Sequence, residues 1–175
     1  VAVTANSPGT LKLRLPTGAV IEDVALNDLV VPVEDDTTIT VQTQYQAWAG
    51  GALFDADANA DGVSNGLAFA LGASGPGVNA VSKLPTVTET AGGLVMTFEM
   101  LNAASRGTVT LSIEHSSDLG IGDAWEAALV PDVDSTVNDL VFDLSGSSPL
   151  GVQVTIPVSK ANDGKLFGRL KAVQP

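Results

Sequence analysis

The stretch LVMTFEM, residues 94–100, places Leu94, Met96, Phe98 and Met100 at alternate positions. Side chains of a strand point to opposite faces in turn, so this segment reads as a β-strand with one face in a core. The same period recurs downstream. TVTLSIEH (108–115) sets Val109, Leu111 and Ile113 on one face, and LVFDL (140–144), VQVTIP (152–157) and LFGRLKAV (166–173) supply three more strands. AWEAAL (124–129) adds a further one, and Gly92-Gly93 reads as a hairpin turn. Short strands separated by polar turns predict an antiparallel β-sandwich over residues 85–175.

Upstream, residues 1–43 also read as β. TLKLRL (10–15) puts Leu11, Leu13 and Leu15 opposite Lys12 and Arg14; AVIEDVAL (19–26) follows a Pro16-Thr17-Gly18 turn. TTITVQTQ (37–44) turns Ile39 and Val41 inward after an Asp35-Asp36 turn. Between the two β blocks the texture changes, so residues 44–84 form a third region. QYQAWAG (44–50) predicts a helical turn with Tyr45 and Trp48 on one face. Ser64 caps a short helix that ends at Gly72, and the Gly/Pro/Ser-rich ASGPGVNAVSKLP (73–85) reads as a linker. The fold class is therefore mainly β: an antiparallel sandwich, a short helix after a loop, and an N-terminal β segment.

Composition excludes several functions. The chain has 20 acidic and 8 basic residues, a net charge of −12, and no basic cluster with which to displace phosphate counterions. Nucleic acid and an anionic membrane surface are thus disfavoured as partners. No cysteine is present, which removes disulfides, thiolate metal sites and cysteine nucleophiles together. No apolar run approaches the roughly 18 residues of a membrane span, so no membrane insertion is expected. The chain begins at Val1 without Met, as a processed or excised protein would.

The chemistry concentrates in FDADANADGVSNGLAFALG, residues 54–72, where Asp55, Asp57, Asn59 and Asp61 alternate ahead of Gly62. Calcium takes six to eight oxygens, and alternate carboxylates around a sharp turn supply them. A register that starts at Asp55 puts Ala60 at the glycine position. One that starts at Asp57 puts Asn59, Asp61, Gly62, Val63 (through its carbonyl) and Asn65 at the third, fifth, sixth, seventh and ninth positions. The second register fits, with Asp55 free to curl back. Its twelfth position is Ala68 where a bidentate acid belongs, which predicts weak binding. Without a metal the same residues would make an Asx-rich turn capping the helix. Mutual repulsion of the crowded acidic groups favours a Ca2+ site.

The order of these pieces resembles a module near the C-termini of large secreted or surface bacterial proteins. Its loop is similar to those of dockerin and thrombospondin type-3 repeats. The matching stretches are YQAWAG, DADANADGVSNGLAFALG, KLPTVTETAGGLVMTF, LSIEHSSDLGIGDAW and KLFGRLKAV, which together span residues 45–173. The resemblance implies a non-catalytic, calcium-binding, extracellular module beside adhesive β regions, with Asp57, Asn59, Asp61, Val63 and Asn65 as ligands.

Other readings carry less. The single histidine, His115, has Glu114, Ser116, Ser117 and Asp118 as chain neighbours; these alternate between faces of a strand end and do not converge as a triad, which leaves a solvated strand terminus and no enzyme. Trp48 and Trp125 would bind a glycan if their faces were open, which makes a carbohydrate-binding module the alternative function; otherwise they are packing residues. The primary expectation is a structural module that self-associates or joins a neighbouring surface protein. VAVTANSPGTLKLRLP (1–16) would be the strand it donates.

Overall fold

The computed structural model describes residues 8–11, 14–15, 33–34 and 39–174. The chain divides into two compact units, Val1–Thr43 and Gln44–Pro175. In the first, β1 (Gly9–Leu11) pairs antiparallel with β4 (Ile39–Val41). Between them in sequence, β2 (Arg14–Leu15) pairs with β3 (Val33–Glu34). Ile39, expected inward, is 56% exposed. The expected turns at 16–18 and 35–36 and the strand at 19–26 lie outside the described residues.

The second unit is the sandwich. Its strands are β5 (Thr86–Thr90), β6 (Gly93–Met100), β7 (Thr110–Ser116), β8 (Glu126–Leu129), β9 (Ser135–Val137), β10 (Leu140–Gly146), β11 (Leu150–Pro157) and β12 (Phe167–Val173). They form a five-stranded sheet in the order β5-β6-β11-β10-β9 and a three-stranded sheet in the order β12-β7-β8, with every pairing antiparallel. The chain therefore crosses between sheets after β6, after β8 and after β11.

The alternation dictates what fills the space between the sheets. Met96, Phe98, Met100, Leu140, Phe142, Val152, Val154 and Ile156 come from the larger sheet, and Leu111, Ile113 and Ala128 from the smaller; all are buried in one cluster. Gly168 on β12 lets that strand close down on the core, since a Cβ there would stand 2.9 Å from Ile156 Cδ1 and 3.0 Å from Met96 Sδ.

The helical segment shares this core. Helix α1 (Gln44–Ala49), helix α2 (Asn65–Ala70) and the loop between them bring Tyr45, Trp48, Phe69 and Phe54 into one aromatic cluster, with ring centroids 5.0–5.8 Å apart. Ser64 accepts from Leu67 N–H and caps α2, and Gly72 takes φ +76° just past its end. Helix α2 lies beside edge strand β12, and Ala70 O accepts from Leu101 N–H at 2.8 Å, just after β6. The segment thus touches both sheets. Residues 73–85, with their Gly/Pro/Ser texture, run inside this unit.

Candidate functional site

The loop from Leu53 to Asn65 is built on its own side chains. Asp57 accepts from Asp61 N–H through Oδ1 at 3.2 Å and from Gly62 N–H through Oδ2 at 2.8 Å. Asn59 Oδ1 accepts from the same Asp61 N–H, and Asp61 Oδ1 accepts from Val63 N–H at 2.8 Å. These are successive Asx turns, each side chain standing in for a backbone acceptor a few residues on. Gly62 holds φ +86°, as the Asp57 register requires, and Ala60 also takes a positive φ, +57°. The bend is therefore shared between the two residues that competed for it in the two registers.

Asp61 ties the loop to the rest of the unit. Its Oδ2 accepts from Ala80 N–H at 2.6 Å and from the Asn59 amide at 3.1 Å. The Ala80 N–H, followed by those of Val63 and the Asn59 amide, holds the Asp61 carboxyl below its ordinary range against an opposing desolvation. Beneath the loop, Val63, Ala68, Ala73 and Ala80 make a small apolar cluster.

Two expected ligands are elsewhere. Asn65 is only 2% exposed; its Oδ1 accepts from Ala58 N–H at 3.3 Å and its Nδ2 donates to Leu53 O at 2.8 Å. It staples the two ends of the loop and does not face its centre. Asp55 is exposed beside a hollow lined by Phe54 and residues 171–174. Among the described residues no group of three or more His, Cys, Asp or Glu stands together as a metal site would require. Asp57, Asn59 and Asp61 offer four side-chain oxygens that each keep one lone pair beyond the bonds above. With the Val63 carbonyl that makes five donors, short of calcium's six to eight, so the residues fit an open, weak site completed by water.

The two tryptophans are both engaged. Trp48 is half-buried: it packs between Tyr45 and Phe69 against the core and donates from Nε1 to Ala73 O at 2.7 Å. Trp125 carries the Arg169 guanidinium over its ring at 4.0 Å and lies against Gly120, so one stacking face is taken. That Arg169 also donates from Nε to Glu114 at 2.7 Å, and Lys171 donates to the other oxygen of Glu114 at 3.1 Å. Burial would raise the Glu114 carboxyl, but its bonds to Arg169 and Lys171 together bring it below its usual value.

The residues around the single histidine are also structural. Asp118 accepts from the N–H groups of Gly120, Ile121, Gly122 and Asp123, and Asp123 accepts from Ser117 N–H and Oγ. This is a turn wrapped on an internal anion. His115 is not solvated, as its strand-end position suggested. It is 3% exposed, because Lys160 and Glu126 close over it, with its Nε2 3.5 Å from Glu126 and Lys160 bridging Glu126 and Asp139. Those residues come from β8, the β9–β10 turn and the segment after β11.

Burial pushes the His115 imidazole below its ordinary 6.5, with Lys160 adding to the effect and Glu126 and Asp123 opposing it. The folded state then binds fewer protons than the unfolded chain between the folded value and about 6.5. Stability is full above that range and falls as pH drops through it. Thermal melts across this window are expected to show the slope, and His115→Gln to flatten it; an unchanged slope in that variant would assign the effect to the carboxylates.

No protein-family model, no curated protein and no solved structure matches the chain.

Proposed function

We propose that this chain is a non-catalytic structural module of a secreted or surface-exposed bacterial protein, in which residues 44–72 brace the sandwich. One observation carries this reading: Asp57, Asn59, Asp61 and Asn65 turn their side chains to the loop's own backbone and to Ala80, and the helix that follows reaches β12 and the end of β6. Such an arrangement converts side-chain chemistry into rigidity. Calcium enters as a reinforcement, held by Asp57, Asn59 and Asp61 with the Val63 carbonyl.

The two parts of the reading separate experimentally. At the 10⁻⁴–10⁻³ M affinity of extracellular calcium modules, about 5 mM calcium adds roughly 1–2 kcal/mol by mass action. The Tm is then expected to rise by several degrees over that in chelator. A Tm identical in calcium and chelator removes the metal from the reading. Asp57→Ala tests the brace itself: in chelator it is expected to lower the Tm by a few degrees, because Gly62 N–H loses its acceptor and Asp61 N–H keeps only that of Asn59. An unchanged melt would mean that the loop does not brace.

Assembly by strand addition is supported at β5, a sheet edge whose five residues are all exposed. At the other end of the chain, Gly9–Leu11 is already paired with Ile39–Val41, so strand donation by the N-terminus rests on residues outside those described.

A further inference from the structure

Asn65-Gly66 is the one Asn-Gly pair in the chain. In an open peptide this pair is chemically unstable. A glycine leaves its own main-chain nitrogen unshielded, and that nitrogen can attack the neighbouring carboxamide. A bond forms between Gly66 N and Asn65 Cγ, the bond from Cγ to the amide nitrogen breaks, and ammonia leaves with the proton given up by Gly66. Water then adds across either carbonyl–nitrogen bond of the cyclic imide, which yields aspartate or isoaspartate at position 65.

The fold needs both residues of this pair. A Cβ at Gly66 would collide with the Phe54 ring, which lies flat on it, so only glycine fits. Asn65 is the staple between Ala58 and Leu53, and it needs one acceptor and one donor on the same side chain. The same contacts silence the chemistry. Gly66 N–H donates to Phe54 O at 2.8 Å, Asn65 N–H donates to Ala56 O at 2.7 Å, and the carboxamide is held at both ends while 2% exposed.

We propose that Asn65-Gly66 is a latent deamidation site locked by the 53–66 brace, so that opening of the loop is recorded covalently as a carboxylate at position 65. The change is one-way in effect. Aspartate cannot donate to Leu53 O, and a buried charge facing that carbonyl opposes reclosure of the loop.

The test follows the mass of the peptide carrying residues 53–72. Folded chain and chain in guanidinium are incubated side by side at mildly alkaline pH. In denaturant Asn65 is expected to convert ahead of Asn79, Asn138 and Asn162, which precede Ala, Asp and Asp. In the folded chain conversion is expected to be on the order of 100-fold slower, since only the open fraction reacts. Phe54→Ala is expected to speed the folded-state reaction on the order of tenfold by removing the lid. If that variant does not fold, Asp57→Ala, which loosens the same loop from its exposed side, takes its place. Equal rates in folded and denatured chain overturn the proposal, and so does a folded loop variant that converts no faster than the parent.

Discussion

Gly93→Ala is expected to cost about 4 kcal/mol or more, while Gly92→Ala, one residue away, is expected to be neutral or to stabilise by about 0.4–1 kcal/mol. The two glycines look alike as a turn signal, but the structure separates them. The hairpin loop is Ala91-Gly92, and Gly93 is already the first residue of β6, opposite Pro157 of β11. Gly93 has φ +138°, a conformation that side chains rarely accept. A Cβ there would also collide with Ile156 O, and would stand 2.9 Å from Pro157 Cα and Val158 N. All three are backbone atoms of the neighbouring strand and its exit, so nothing can swing aside. At Gly92 the φ is not positive and a Cβ would meet only Thr90 Oγ1 at 3.7 Å, so alanine there simply restricts the unfolded chain.

Chemical denaturation of the two variants checks this directly. A domain has only about 5–15 kcal/mol in hand, so Gly93→Ala should shift the midpoint far or abolish the cooperative transition. Equal behaviour of the two variants would contradict the β6–β11 register at its Gly93 end.

The parts of the fold legible in sequence are those where burial follows a local period. Met96, Phe98 and Met100, or Val152, Val154 and Ile156, announce their face within one strand, since the pleat alone decides it. Edge strand β5 gives no such sign: it has one large apolar side chain, Val87, and that is 53% exposed. The site was half legible for the same reason. Spacing identifies Asp57, Asn59, Asp61 and the Gly62 turn, because Asx turns are local. It misassigns Asn65, whose partner Leu53 lies 12 residues back. Glu114 and His115 were hidden entirely: the cations on Glu114 come from 55 and 57 residues downstream, and Lys160 reaches over His115 from the far side of another crossover.

Arg106 is the residue that local reading misses most completely, and its loss is expected to be the second large effect. It ends the single turn of helix α3 (Ala103–Arg106), which Asn102 caps through Ser105 N–H, in a stretch that reads as an ordinary polar connection. Yet it is 6% exposed and every arm is used. Its Nε donates to Val109 O at 3.1 Å, one terminal nitrogen to Leu101 O at 3.0 Å, and the guanidinium forks onto both oxygens of Asp132 at 2.9 and 3.1 Å. Leu101 and Val109 bound the crossover from β6 to β7, and Asp132 lies on the crossover from β8 to β9. One side chain therefore pins two of the three passages between the sheets. Arg106→Met keeps much of the apolar stem but strands a buried carbonyl and frees both crossovers. It is expected to cost about 2–4 kcal/mol, a Tm drop of roughly 8–15 °C. Arg106→Lys should recover less than half of this, because an ammonium cannot fork onto a carboxylate while serving two carbonyls. Asp132→Asn should cost under about 1 kcal/mol, its side chain being 45% exposed and screened by water. Equal losses in the Met and Asn variants would place the energy in the ion pair; a loss confined to Arg106 places it in the carbonyls that the guanidinium holds at the two ends of the first crossover.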